Sequence, residues 1–247
     1  MRGAVVYVHP FAEEMNKSRR MAALQARAFA ADGFAVLQMD LLGCGDSSGD
    51  FNDASWAAWV ADVQQAVEWL AQRVSGPLWL WGLRAGCLLA VEAASGLDRA
   101  VNLLFWQPAT SGKLLLQQFL RQRLAADLLS GSAKGAIAGL RNELSAQGRV
   151  EVSGYALGID LANGLEGAAL RPVQSVLAVH WLELAQSHGG AEMSPVARRS
   201  IAEWRSAGIQ VIESVVRGPM FWQTVEIEEA PELLIASCAA LFAEYPR

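Results

Sequence analysis

Apolar positions recur along this chain with two different periods. Short runs rich in Val, Leu, Phe and Trp at residues 4–8, 34–39, 78–81, 100–106, 175–181 and 209–215 predict buried strands. Between them lie stretches with helical spacing. Residues 21–31 predict a helix stopped by Asp32-Gly33, and residues 85 to about 94, 195–206 and 231–243 predict three more. Trp56, Trp59, Val60, Val63, Val67 and Leu70 fall on one face of a further helix. The crowded polar stretch at residues 13–20 predicts a loop. Residues 113–148, rich in Arg and Gln, have a helical pattern that interrupts the alternation and predicts a helical insertion, or lid, above the sheet. Residues 150–152 predict extended chain, and 155–170 helix and loop.

Strands alternating with helices through short connections imply an α/β fold of one domain over residues 1–247, with a mostly parallel sheet and helices on both faces. Sites in such sheets lie beyond the carboxyl ends of the strands. That directs attention to residues 9–14, 41–49, 82–86, 107–112, 182–189 and 217–226.

Among these, Gly82-Leu83-Arg84-Ala85-Gly86 stands between a predicted strand and a predicted helix. Two glycines four apart allow a sharp reversal and close packing of the helix on the strand. This is the G-x-S-x-G nucleophile-elbow pattern with Arg84 in place of the serine. A guanidinium stays protonated and cannot attack a carbonyl.

The order of these segments resembles the α/β-hydrolase fold. Asp40-x-x-Gly43-x-Gly45-x-Ser47 looks like that superfamily's D-x-x-G-x-G-x-S turn, and His9-Pro10-Phe11 sits where its oxyanion loop would. The stretches HPFAEEMNKSRR, LLGCGDSSGDF and LWGLRAG, with the late Phe221-Trp222-x-Thr224, more closely resemble the exosortase A system-associated hydrolases, the type called hydrolase 2. These accompany the bacterial machinery that sorts PEP-CTERM proteins and makes exopolysaccharide. The resemblance implies two strands ahead of the first one seen here, which the sequence lacks. It follows that the strand at residues 4–8 is expected to have an unpaired edge, covered by a homodimer contact or a longer N-terminus.

A working triad needs a nucleophile at the elbow, an acid after the strand at 175–181 and a histidine after the last strand. Glu183 is placed for the acid, with a solvated surface Glu as the plainer reading. No histidine follows the last strand; the last of the three is His188. His9 is a candidate base, although a structural role at a strand end is the plainer reading. His180 reads as core or sheet edge. Cys87, in the first turn after the elbow, is a conceivable thiolate, with a small packing residue favoured over it. Cys44 lies near the site mouth without an evident base.

Arg84 opens a helix, where a cation is disfavoured by ~0.3–1 kcal/mol. A negative partner is therefore expected from Glu13, Glu14, Asp46 or Glu183, with Glu13 or Glu14 favoured. Alternatively, Arg84 and the N–H groups of Ala85 and Gly86 hold an anionic ligand. Phe11, Phe221 and Trp222 are candidate pocket walls. Leu114, Phe119 and Leu120 make the insertion amphipathic, suited to a lid or, with Arg121, Arg123 and Lys134, to a partner or membrane face.

Composition narrows the field further. A net charge of −5 gives no basic footprint for nucleic acid. The longest apolar stretch, residues 233–243, is broken by Ser237, so no transmembrane segment is expected. With no leader ahead of the first strand, a cytoplasmic protein is expected, able to sit peripherally at the inner membrane. Three dispersed cysteines predict neither disulfides nor a metal site, and no cofactor is implied. The expectation is a pseudo-hydrolase of the exosortase and exopolysaccharide system that binds a small anionic metabolite or a protein partner. The alternatives are an unconventional hydrolase or acyl-transfer enzyme acting on an ester or thioester, and a purely structural subunit.

Overall fold

The computed structural model describes residues 1–129, 137–186 and 192–243. Six parallel strands form one sheet: β1 (Gly3–Val8), β2 (Phe34–Gln38), β3 (Leu78–Leu83), β4 (Val101–Trp106), β7 (Val176–Ala185) and β8 (Gln210–Arg217), in the order β2-β1-β3-β4-β7-β8. A separate two-stranded antiparallel sheet is formed by β5 (Arg149–Val152) and β6 (Tyr155–Gly158). The helices are α1 (Glu13–Ala31), α2 (Trp56–Ala71), α3 (Ala85–Ser95), α4 (Gly112–Leu129), α5 (Ile137–Gln147), α6 (Ile159–Gly167), α7 (Pro195–Ser206) and α8 (Pro231–Ala243). Among the described residues no helix is long and apolar enough to cross a membrane.

The chain divides into two compact units, and the boundary falls within α2. The first comprises Met1–Met39, Val63–Thr110 and Leu170–Arg247, and it holds the six-stranded sheet. Strand alternation sorts its core onto two faces. One face stacks Val5, Tyr7, Trp79, Trp81, Leu104, Trp106, Leu182 and Leu184 against Met21 and Phe29 of α1 and Leu233 and Leu241 of α8. Trp81 meets Tyr7 at 4.3 Å, Trp106 at 4.7 Å and Phe29 at 5.6 Å between ring centroids. On the opposite face Phe105 packs edge-on against Trp181 and against Trp204 of α7. There α3 lies on β1, β3 and β4. His180 points to the first face beside Trp79, and burial lowers its pKa to about 4, so it is a neutral core residue.

The second unit comprises Asp40–Asp62 and Ser111–Ala169. Its interior is aromatic: Phe51 contacts Trp59 and Tyr155, and Phe119 contacts Tyr155. The Leu42 carbonyl accepts from the Trp59 indole at 2.9 Å, and the Asp62 carboxylate accepts the Leu42 N–H at 2.9 Å.

Three expectations change. The polar residues 13–20 are the first two turns of α1, whose buried stripe Met15, Ser18, Met21, Ala22, Gln25 and Phe29 continues the helical period through them. Residues 155–158 are a strand, paired through a turn in which Ser153 and Gly154 both have positive φ (49° and 85°). Finally, β1 has no unpaired edge, because β2 and β3 pair with it on either side; the sheet edges are β2 and β8.

The two elbow glycines fix how closely α3 approaches the sheet. A Cβ on Gly86 would lie 2.1 Å from the Val8 carbonyl oxygen, and one on Gly82 would lie 2.7 Å from Cys87 backbone atoms. Gly86→Ala is expected to destabilise the protein by about 3 kcal/mol, since the obstructing atoms are backbone that cannot swing aside. Chemical denaturation measures this, and an unchanged midpoint would contradict the close approach.

Candidate functional site

The sheet order reverses between β1 and β3: β2 lies to one side of β1, while β3, β4, β7 and β8 extend to the other. Connections leaving such a switch point diverge and open a crevice at the strand ends. The registers Val8↔Gly82 and Leu83↔Trp106 bring the carboxyl ends of β1, β3 and β4 nearly level, while β7, in register through Trp106↔Leu182, runs on to Ala185. The loops carrying His9, Arg84 and Gln107 therefore leave the sheet side by side.

Arg84 occupies the elbow with φ 55° and ψ −113°. A side-chain residue held there costs about 1–3 kcal/mol, so its surroundings must impose the conformation. They do so by hydrogen bonds. The Arg84 N–H donates to the Trp106 carbonyl at 3.0 Å, and the Arg84 carbonyl accepts from the N–H groups of Cys87 and Ala109 at 3.2 Å each. On the neighbouring connection Ala12 repeats the feature, with φ 50° and ψ −127° as α1 begins.

The expected negative partner of Arg84 is Glu14. Arg84 Nε donates to Glu14 Oε1 at 3.3 Å, and the two side chains keep only 15% and 20% of their exposure. The guanidinium carbon lies 5.9 Å from the Trp222 ring centroid, so the ring flanks the cation. Burial raises the Glu14 pKa above its ordinary 4.5, and the opposing pull of Arg84 only partly offsets this. Glu14 Oε2 is buried without a hydrogen-bond partner, as is the Trp222 indole nitrogen. Among the described residues no acceptor bonds Nη1 or Nη2 of Arg84. As α3 starts here, the N–H groups of Ala85 and Gly86 have no preceding turn to donate to.

The other candidates have different roles. Glu183 is not the partner of Arg84. It lies inside β7 rather than after it, on the α7 face, and accepts the Ser194 N–H at 2.8 Å and the Ser194 hydroxyl at 3.0 Å. Ser194 in turn caps α7 by accepting the Ala197 N–H at 3.2 Å. Asp46 belongs to the second unit, is exposed, and donates its backbone N–H to Asp40 Oδ2 at 2.9 Å. Glu13 is exposed at the start of α1. His9 is buried, with Nδ1 2.8 Å from the Pro10 carbonyl, and Phe11 is buried just after it. Cys87 is buried in α3, which drives its thiol pKa up, and its sulfur lies 3.9 Å from the Trp106 carbonyl, so it is a packing residue. Cys44 is buried too. His188 lies outside the described residues. Among the described residues no group of three or more His, Cys, Asp or Glu could hold a metal ion.

One site-bordering residue was missed. Gln107 has φ 41°, and its side-chain oxygen accepts the Leu184 N–H at 2.8 Å, tying the end of β4 to β7. Its place between a strand end and Pro108 was the available signal.

Arg84→Ala leaves a buried carboxylate without its cation and is expected to cost about 1–3 kcal/mol at pH 7. The raised pKa sets the sign of the pH dependence. Protonated Glu14 needs no cation, so the loss should shrink as pH falls toward 4.5. Urea unfolding at pH 5 and pH 7 tests this; a loss that grows on acidification would contradict it.

Among solved structures the chain is similar to alpha/beta hydrolase domain-containing protein 10 from mouse (TM-score 0.56, 14% identity, 98% of this chain and 90% of that one). It is similar also to a structure reported under the metagenome-derived lipolytic enzymes LipS and LipT (0.58, 18%, 98% and 94%) and to the alpha/beta hydrolase GrgF from Penicillium sp. sh18 (0.54, 13%, 99% and 88%). At these identities the likeness shows the fold. No curated protein matches the chain significantly. A family model described as serine aminopeptidase, S33, matches residues 1–138, more than half of the chain. With the α/β-hydrolase sheet and elbow in place, the chain belongs to this serine aminopeptidase S33 family of the α/β-hydrolase superfamily.

Proposed function

We propose that this protein is a pseudo-hydrolase: an α/β-hydrolase-fold protein that uses its elbow to bind an anion instead of to attack an acyl group. The observation that carries the reading is Arg84 at the elbow, with its Nε on Glu14 and its Nη edge unbonded among the described residues. Two N–H donors on a planar cation, next to the free amides that open α3, suit a negatively charged oxygen group. No serine stands at the elbow and no histidine follows β8. The acid position is engaged in capping α7.

The stretches HPFAEEMNKSRR, LLGCGDSSGDF and LWGLRAG support a place beside the exosortase A machinery, with an anionic metabolite or a protein of the exopolysaccharide pathway as the occupant.

A fluorophosphonate probe distinguishes this from an active serine hydrolase. We expect no serine to be labelled, Ser47, Ser48 and Ser111 included, and Arg84→Ser alone to give no esterase, because the base remains missing. Stoichiometric labelling located by mass spectrometry would overturn the reading.

A further inference from the structure

The ion pair at the elbow is half made. Glu14 uses one oxygen, at 3.3 Å from Arg84 Nε, and its other oxygen is buried with no partner. Among the described residues Arg84 uses one of its three nitrogens, Nε. Had the pair been purely structural, the two-point match of guanidinium and carboxylate would be the stable arrangement. Instead the Nη edge of Arg84 is left without an acceptor among the described residues, while the Trp222 ring flanks the guanidinium.

We propose that this site takes a monocarboxylate on the free Nη edge of Arg84, and that Glu14 takes up a proton as the anion binds. The proposal rests on the anion-site reading above and specifies its ligand. Two parallel N–H groups match the two oxygens of a carboxylate in spacing and plane. The charge balance points the same way. One guanidinium supplies one positive charge and already shares it with Glu14. A phosphate near two negative charges would call for further cations, whereas a carboxylate needs only that Glu14 become neutral.

Glu14 is the group placed to do so. Two carboxylates sharing one cation force one of them to protonate. Glu14 is the buried member, and its burial already favours the neutral form over the pull of Arg84. The step balances as one anion and one solvent proton taken up together, with no bond to carbon made or broken. The groups around Glu14 leave it as the natural seat of that proton. Arg84 faces it from the elbow. Tyr7 on β1 and Cys87 on α3 have pKa values raised by burial, so they stay neutral at pH 7. Lys17 lies one turn further along α1. The segment after β8 that carries Trp222 has no titratable side chain between Gly218 and Gln223. His9 remains, its Nδ1 engaged with the Pro10 carbonyl, and the variant below separates it from Glu14.

The test is calorimetric titration of the full chain with sodium butyrate and, separately, with inorganic phosphate, at pH 7 in HEPES and in Tris. Their different ionisation heats count the protons taken up. We expect butyrate to bind with proton uptake approaching one, and Kd to weaken toward tenfold per pH unit above pH 7. Glu14→Gln, which copies the neutral acid, should bind butyrate at least as tightly, with no proton uptake and a flat pH profile. Arg84→Lys keeps the charge but loses the planar two-point contact, and should bind about tenfold more weakly or worse. Preference for phosphate over butyrate would overturn this inference and leave the anion-site reading standing. Butyrate bound without proton uptake, or uptake that persists in Glu14→Gln and so belongs to His9 or another group, would likewise overturn it alone. If the folded wild-type chain binds neither anion, both readings fail.

Discussion

The backbone of residue 84 is the constraint from which the rest of the site follows. Its φ and ψ of 55° and −113° belong to a region that side-chain residues avoid, and the chain reaches it only because the surroundings leave no alternative. Gly86 lets α3 press onto the Val8 carbonyl, Gly82 lets the strand end beneath Cys87, and three backbone hydrogen bonds lock the turn. None of this involves the side chain at position 84. The fold therefore delivers whatever residue stands there to the same place, at the head of a helix and over the crevice. Fold and chemistry are separable here: the sheet, the elbow and the family match are those of a hydrolase, and the presented group is a cation.

The cation then dictates its own company. A guanidinium at a helix N-terminus faces an unfavourable dipole and partial loss of water, and only a nearby negative charge offsets both. Glu14 supplies it from the connection on the other side of the switch point, where α1 leaves the sheet. In the first turn of α1 a carboxylate is also favoured by that helix's own dipole. Burial works against this by favouring the neutral acid, and it outweighs the pull of Arg84, so the Glu14 carboxyl is held above its ordinary range.

The fold was legible in the sequence wherever burial imposes a strict period. The apolar runs of β1, β3 and β4 lie in a doubly covered sheet, and α7 and α8 begin at Pro195 and Pro231 as their spacing suggests. The elbow was legible from Gly82 and Gly86. What escaped was phase. Residues 13–20 look like a loop because most of them are polar, yet Met15 and Ser18 are buried on the stripe that leads to Met21. Whether Glu13 or Glu14 meets Arg84 depends on 100° of helix rotation. That rotation is set by the strained Ala12, which no pattern announces. Glu183 escaped in a related way. The strand runs to Ala185, past the predicted end at residue 181, and alternation turns Glu183 to the α7 face.

The positions where a serine hydrolase carries its nucleophile and acid each have structural partners here. The carboxylate of Glu183 holds both polar groups of Ser194, and Ser194 holds the start of α7. A histidine introduced after β8 would find that acid already hydrogen-bonded at both oxygens. It would also enter a segment where Phe221 and Trp222 fill the first-face core, with Trp222 flanking Arg84. The elbow side chain is bound to Glu14, itself tied into α1. Each replacement is stabilised by contacts to a different helix, so the altered chemistry is built into the packing of α1, α7 and the β8 connection together.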